Sequence, residues 1–317
     1  NTHELIMHPA RPAPAPPAPL APLPKGGSAD LRPRVARRHL QVYQQQAAEA
    51  ERAEIERSRV KPPKNLQAYD YYLRGLSQVA LFTNEANDLA LELFRKAMSL
   101  EPSFAWPYGR AAACYHHRRS WAWATDPARE AIEAERLARQ AIALDNRDPK
   151  VLTDAGWVLA YIVGRFEEGR ALLDQAIEID PNNSGTWNYR GWVEWALGGT
   201  RGVDYFARAL RHNPVDVRRF GPQAGMANAL FRIGRNEEAL SWVEKVVLHY
   251  PGFLPTHWAS MAANAALGRV DEARAAYETY RRIHPAARIS NMREWSPTSD
   301  EVSAMYITGF RIAGMPE

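Results

Sequence analysis

A short turn motif returns at nearly constant intervals through most of this chain. It closes one helix-like segment and opens the next, as in SLEPSF at 99–104, EIDPNN at 178–183 and RIHPAA at 282–287. Successive motifs are separated by 44, 35, 33, 37 and 34 residues. A period between about 20 and 50 residues indicates stacked copies of one small unit, which largely decides the architecture. The equivalent positions are Pro102, Asn146, Pro181, Pro214, Pro251 and Pro285.

Small and large residues alternate within each period as the packing of two helices requires. Ala97 lies five residues before its turn marker, and the bulky Phe94 lies three residues earlier; later periods repeat the arrangement. Such alternation lets neighbouring helices interdigitate. The tripeptide LGR at 267–269, like VGR and IGR earlier, places glycine where a helix must end. The sequence therefore predicts six helix-turn-helix units over residues 66–285.

The first helix of one unit carries a recognisable pattern. In TWNYRGWVEWALGG at 186–199, Trp187 and Gly191 hold the Trp and Gly positions of the tetratricopeptide repeat, and Gly198 supplies the turn. This resemblance implies an all-α solenoid, in which each unit is stable only when packed against its neighbours. Such an array needs a capping helix at its end. Residues 297–314 fit that role, with Ser299 as the predicted N-cap.

The chain before the repeats has a different composition. Residues 9–24 read PARPAPAPPAPLAPLP, in which proline fixes φ and removes amide donors. The sequence predicts four parts. They are a Pro-rich disordered linker at 1–34, a polar connecting helix at 35–64, tetratricopeptide repeats at 65–286 and a C-terminal capping segment at 287–317.

Charge and hydropathy exclude some classes of partner. The net charge is +4, yet residues 1–64 hold 11 basic and 6 acidic side chains, which leaves 29 and 30 beyond. A balanced body does not indicate direct nucleic-acid binding by the repeats. No run approaches the roughly 18 apolar residues of a membrane span. Because Cys114 is the single cysteine, we expect no disulfide and a cytoplasmic location. The first residue, Asn1, is compatible with a piece of a longer polypeptide.

Catalytic motifs are absent from the sequence. It has no Gly-rich phosphate loop, HExxH, GxSxG or CxxC. His116 and His117 are adjacent, so a helix aims them about 100° apart, a poor arrangement for joint metal ligands. Cys114 is interpreted as a small buried hydrophobe. We therefore predict no enzyme activity, no catalytic residue, no cofactor and no metal site in these residues.

A binding groove is the better-supported prediction. In a tetratricopeptide superhelix, five positions of each first helix face the concave side. Aromatic side chains are the commonest carriers of binding energy at interfaces, so a protein or peptide partner is expected. The alternative, left open here, is that several tryptophans pack between helices. The groove lacks the Lys and Arg positions of the clamp that holds a C-terminal carboxylate. The predicted groove residues are Tyr69, Tyr72, Trp106, Trp157, Tyr161, Asn188, Trp192, Trp195, Asn228, Phe231, Arg232 and Trp258, with His116 and His117 at the same positions.

The long second unit predicts an insertion loop at residues 116–132, between its two helices. Insertions in solenoids map to one face and often carry function. Arg118 and Arg119 beside Trp121 and Trp123 predict a site for an anionic or aromatic ligand. The alternative is an extended helix whose tryptophans fill a boundary between repeats.

Particular strings resemble the tetratricopeptide half of bacterial class III adenylate/guanylate cyclases. They include ERAEIERSRVKPPKNLQAYDYYLRG at 51–75, EANDLALELFRKAMSLEPSFAWPYGRAAACY at 85–115 and GFRIAGMPE at 309–317. A sister architecture joins the same half to a winged-helix DNA-binding domain. In the cyclases the catalytic domain precedes the repeats, and none of its motifs is present here. The resemblance implies a regulatory or sensory module of a cyclase system; a ligand-sensing half of a regulator and a free-standing scaffold are the alternatives. The oligomeric state is not predicted.

Overall fold

The structure, a computed structural model, describes residues 65–213, 217–292 and 298–317, all within one compact unit. The predicted linker at 1–34 and polar helix at 35–64 lie outside the described residues. Within the described ranges the α-helices are α1 Leu66–Val79, α2 Asn84–Leu100, α3 Ala105–Ser120, α4 Pro127–Leu144, α5 Pro149–Tyr161, α6 Phe166–Ile179, α7 Ser184–Ala196, α8 Gly202–His212, α9 Phe220–Arg232, α10 Asn236–Val247, α11 Leu254–Ala266, α12 Val270–Ile283 and α13 Asp300–Ile312.

The first twelve helices pack as six successive pairs, α1 with α2 through α11 with α12. This confirms the six helix-turn-helix units. The first helices of successive pairs contact one another in a continuous row from α1 to α11. They form the inner layer of the array, and the second helices lie on its outer side. No helix among the described residues is both long enough and apolar enough to cross a membrane.

Local sequence signals set many helix ends. Asp126 and Asp148 cap α4 and α5, and each precedes a proline at the first helical position. The turns inside units end on glycines with positive φ, for example 81° at Gly164 and 73° at Gly268. These are conformations that side chains with a Cβ rarely adopt. The predicted glycine turns are therefore confirmed.

Close helix contacts depend on the small residues of the repeat. A Cβ placed on Gly191 would lie 2.7 Å from the ring of Phe206, and one on Gly225 would overlap the same ring. Phe206 is fully buried between α7 and α9, next to the buried Ala209. The alternation of large and small residues thus lets the outer helix of one unit reach the inner helices of two units.

The second unit differs from its predicted form. α3 continues to Ser120 and α4 begins at Pro127, so only residues 121–126 connect them. The predicted insertion loop at 116–132 is therefore wrong, because most of that segment extends the two helices. The extra length of the unit is taken up by helices of 16 and 18 residues. Ala122 turns the chain with φ of 57°.

The C-terminal helix extends further than a simple cap. Ser299 accepts a hydrogen bond from the amide of Val302, which confirms the predicted N-cap. α13 packs mainly on α11 and α12, but it also reaches α7, where the amide of Ser299 donates to the carbonyl of Ala196 at 2.9 Å. Gly309 permits close contact, since a Cβ there would lie 2.7 Å from the Cα of Ala262. α13 therefore lies across the inner helices of the last three units.

Candidate functional site

The predicted groove residues fall into three groups, of which the second and third share Trp195 and Trp258, and the first group packs in the core. Tyr72 is 1% exposed, and its ring contacts Phe104 and Trp106 with centroids 5.4 and 5.6 Å apart. Tyr69 packs against the same cluster. The indole of Trp106 donates to Asp148 at 2.8 Å. Tyr72 and Trp106 fill the boundary between the first and second units, so placing these two in an open groove was wrong; Tyr69 is half-buried beside them.

The second group is covered by α13. Tyr306 inserts among Trp195, Phe231 and Trp258, with ring centroids 5.8, 4.9 and 6.3 Å away. Its hydroxyl donates to Asn228 Oδ1 at 2.8 Å and accepts from Trp195 Nε1 at 3.2 Å. Burial raises the pKa of Tyr306, so the hydroxyl stays protonated.

Arg232, another member of this group, is also engaged by the C-terminal segment. Its guanidinium pairs with Glu301 at 2.8 Å and donates to the carbonyl of Gly198. The part of the predicted groove that Asn228, Phe231 and Arg232 line is therefore occupied by α13 of the same chain. No local pattern indicated this, because Trp195 and Tyr306 lie 111 positions apart.

The remaining part of the inner face encloses an open space, here called the aromatic cavity. Its volume is about 880 Å³, counting the open solvent at its mouth, and side chains of α3, α5, α7, α9 and α11 line it. Six predicted groove residues line it: Trp157, Tyr161, Asn188, Trp192, Trp195 and Trp258.

One wall of the aromatic cavity is a stack of rings. Trp157 lies parallel to Tyr189, at 4.7 Å and 4°, and stacks on Tyr161 at 4.6 Å. His116 meets the edge of Trp157 at 5.0 Å. Because offset stacking holds aromatic planes in fixed positions, this wall is a rigid apolar surface.

A second group of rings was not predicted from the sequence. Phe220 meets Phe82 at 4.9 Å and Trp121 at 5.7 Å, both edge to face. Phe82 has φ of 51°, an uncommon conformation for a bulky residue. The only sequence signal here was Trp121 in the predicted insertion, and it does line the aromatic cavity. Phe82 and Phe220 lie just outside the repeat positions that were mapped.

Five buried polar atoms on residues that line the aromatic cavity have no hydrogen-bond partner among the described residues. They are the indole Nε1 atoms of Trp157 and Trp258, Oδ1 of Asn188, Oγ of Ser120 and Nδ1 of His116. Trp157 is 2% exposed and Ser120 is 3% exposed. Buried polar groups are normally paired, and leaving one unpaired costs about 1–3 kcal/mol.

The electrostatics of the aromatic cavity favour negative charge. Burial lowers the pKa of His117 to about 4, with further contributions from the Arg110 and Arg218 charges, and burial also lowers that of His116. Both imidazoles are therefore neutral at pH 7. Arg218 and Arg219 are exposed and belong to the lining, which includes no Asp or Glu in the described part of the chain.

One carboxylate lies buried close to these charges. Asp154 pairs with Arg110, whose Nε lies 3.2 Å from Oδ2. Burial raises the pKa of Asp154, and the charges of Arg110 and Arg218 oppose that rise. Asp154 is only 2% exposed and does not belong to the lining, so it offers nothing to a ligand.

The arginines of the predicted insertion have other roles. Arg118 forms ion pairs with Asp88 at 2.5 Å and Glu130 at 3.0 Å. Arg119 is 7% exposed and donates to the carbonyls of Tyr161 and Ile162 at 3.2 and 3.1 Å. The predicted anion site at these arginines is therefore wrong.

The tryptophans of the predicted insertion do lie beside each other. Trp123 stacks on Trp121 with centroids 5.7 Å apart. The positive charge at the aromatic cavity comes instead from Arg218 and Arg219, in a short turn that sequence reasoning did not single out.

No metal or nucleophile site emerges from the described residues. No three His, Cys, Asp or Glu side chains in the described ranges are grouped so that they could hold a metal ion. Cys114 is 1% exposed, and burial raises the pKa of its thiol to about 12, so the reactive thiolate is not formed near neutral pH. Its interpretation as a small buried hydrophobe is confirmed.

Solved structures share this arrangement of helices. PilW, a widely conserved type IV pilus biogenesis factor, is 15% identical with a TM-score of 0.51, and the match covers 70% of this chain and 96% of that one. The Cut9-Hcn1 hetero-tetramer of APC/C gives 13% identity and a TM-score of 0.55, over 77% of this chain and 42% of that one. A thermophilic TPR protein of Thermus thermophilus gives 17% and 0.47, over 63% and 98%.

The chain is an all-α tetratricopeptide-repeat solenoid. No protein-family model matches it, and no curated protein matches it either. The structural similarity at these identities concerns the fold alone. A tetratricopeptide solenoid hosts its function in sites carried on the repeats, so the aromatic cavity has to be interpreted from its own residues.

Proposed function

We propose that this tetratricopeptide solenoid is a protein-interaction module that holds a peptide segment of a partner in the aromatic cavity. The observation that carries the proposal is the set of unpaired buried polar atoms on Trp157, Asn188, Ser120 and His116 around one aromatic opening. Aromatic side chains bury much area with few rotamers to fix, which makes them effective anchors. The other predicted groove residues are already covered, so binding concentrates at this opening.

The test is a selection from a random peptide display library against the 317-residue chain. Ser184→Trp places a bulky ring in the lining of the aromatic cavity. Ser241→Trp is the matched control, because Ser241 is exposed on the outer helix α10. Selected peptides should bind the wild type and the control equally and lose most affinity for Ser184→Trp. Equal binding to a folded Ser184→Trp variant, verified by circular dichroism, would refute the cavity as the binding site.

We further propose that the module serves a bacterial nucleotide cyclase signalling system in the cytoplasm. The support is the resemblance of the strings at 51–75, 85–115 and 309–317 to the repeat half of such enzymes, together with the single, unpaired Cys114. A winged-helix regulator and a free-standing scaffold are the alternatives. The sequence encoded upstream discriminates between them: a mixed α/β domain with two metal-binding aspartates indicates a cyclase, and a compact winged helix a regulator.

The residues of this chain are proposed to have no catalytic activity of their own. The 317-residue polypeptide should release no cyclic nucleotide when it is supplied with ATP and a divalent metal. Measurable turnover would overturn the non-enzyme proposal.

A further inference from the structure

We infer that the aromatic cavity takes a tyrosine side chain from an acidic segment of a partner protein. The inference rests on the proposed function, since it assumes that the aromatic cavity binds a peptide. It follows from three observations: how the solenoid binds its own Tyr306, which polar atoms the aromatic cavity leaves unpaired, and which charges belong to its lining.

The molecule contains an example of tyrosine binding on its inner face. The Tyr306 ring packs against Trp195 and Phe231, with centroids 5.8 and 4.9 Å away. Its hydroxyl uses both of its hydrogen-bonding capacities, donating to Asn228 Oδ1 at 2.8 Å and accepting from Trp195 Nε1 at 3.2 Å. An indole N–H and an asparagine oxygen, set among aromatic rings, thus form a complete site for a phenol.

The side chains that line the aromatic cavity include the same two kinds of group, an indole N–H and an asparagine oxygen. Trp157 Nε1 can only donate and Asn188 Oδ1 can only accept, and both are buried with no hydrogen-bond partner among the described residues. The rings of Trp157, Tyr161 and Tyr189 supply the aromatic wall. A phenol accepts from the first group and donates to the second while its ring packs on this wall. Phenylalanine satisfies neither group, and serine cannot cover the rings.

The lining charges select an acidic segment. Arg218 and Arg219 are exposed in the lining, His116 and His117 are neutral near pH 7, and the described lining residues include no Asp or Glu. Arg218 already interacts with other groups of the chain, so Arg219 supplies the guanidinium that a carboxylate beside the bound tyrosine would meet, which fixes the orientation and speeds association. Residues 1–64 of this chain carry 11 basic and 6 acidic side chains, so they are poorly matched to the same lining.

The inference is tested with three fluorescein-labelled nonapeptides and fluorescence anisotropy. The first has a central tyrosine flanked by Asp and Glu, the second replaces the tyrosine with phenylalanine, and the third replaces the acidic flanks with lysine. The expected order is tightest binding for the first and at least about tenfold weaker binding for the second, since two buried groups then stay unpaired. Binding of the third should fall further, because its positive flanks face arginines.

Two substitutions separate the hydroxyl contact from general packing. Asn188→Ala should weaken the tyrosine peptide by about tenfold and leave the phenylalanine peptide unchanged. Asn182→Ala is its matched control, because Asn182 is exposed in the turn before α7. Arg219→Glu should weaken both acidic peptides, whereas Arg211→Glu, exposed on α8 and outside the lining, should weaken neither.

The outcomes distinguish this inference from the proposed function. Equal affinity for the tyrosine and phenylalanine peptides, or tighter binding of the lysine-flanked peptide, overturns the inference. The inference is also overturned if the display selection yields peptides that contain no tyrosine and that lose their affinity for the Ser184→Trp variant. In that case the proposed function still stands. Two outcomes overturn both the inference and the proposed function. If free phenolic carboxylates bind without any peptide, the ligand is a small molecule. If the chain self-associates in sedimentation experiments and Ser184→Trp abolishes this, the occupant is a second copy of the chain.

Discussion

The hydrogen bonds of Tyr306 offer a direct measure of what the inner face gains from a phenol. Tyr306→Phe keeps the ring, and therefore its packing on Trp195, Phe231 and Trp258, and removes only the oxygen. Tyr306 is 1% exposed and Asn228 is 0% exposed, so water cannot replace the missing group without opening α13. The change leaves two buried groups unpaired, the indole N–H of Trp195 and the side-chain oxygen of Asn228.

The expected loss follows from those two groups. An unpaired buried donor or acceptor costs about 1–3 kcal/mol. The Asn228 amide nitrogen keeps its own bonds to the carbonyls of Ala224 and Pro255, at 2.8 and 3.1 Å, so the side chain stays in place. We therefore expect Tyr306→Phe to lower the free energy of unfolding by about 4 kcal/mol, the middle of the range of about 2–6 kcal/mol that two such groups give.

The assay is urea unfolding followed by far-UV circular dichroism and tryptophan fluorescence at pH 7. Tyr71→Phe is the matched control, since Tyr71 is half-buried on α1 and no hydrogen bond involves its hydroxyl among the described residues. The control should change the midpoint by less than the equivalent of about 0.5 kcal/mol. A loss for Tyr306→Phe no larger than that of the control would refute the reasoning, and with it the comparison on which the tyrosine inference depends.

Two further predictions concern buried groups. Arg119→Met should lower the free energy of unfolding by about 1–3 kcal/mol, because the carbonyls of Tyr161 and Ile162 lose their donor; the exposed Arg129→Met is the control, and equal urea midpoints would contradict the assigned role. Stability should also fall as the pH drops from about 6.5 to about 4, because burial lowers the pKa of His117 to about 4 from its ordinary 6.5, so the unfolded chain takes up a proton that the folded chain refuses. His117→Gln should reduce this slope without abolishing it, since burial also lowers the pKa of His257 and His284; an unchanged slope in urea midpoints between pH 7.5 and 4.5 would count against the assignment.

The predictions that held were those that depend on local sequence. The turn period, the glycines with positive φ and the Ser299 cap each involve residues within one helix or one turn, so the chain specifies them without reference to distant parts. Because similar units stack through contacts with their nearest neighbours alone, the structure predicted for one unit also predicts how successive units are arranged. The amino-acid pattern was therefore sufficient to predict an all-α solenoid of six helix pairs.

The site depended on contacts that no local pattern contains. Arg118 and Arg119 looked free to bind an anion, and only the positions of Asp88, Glu130 and the end of α5 show that they are used internally. Positions that face the inner side of a repeat stay open only if nothing else occupies them. Long-range packing decides which of these positions stay open. Tyr306 of α13 covers Trp195 and Asn228, whereas Trp157 and Asn188 line the aromatic cavity.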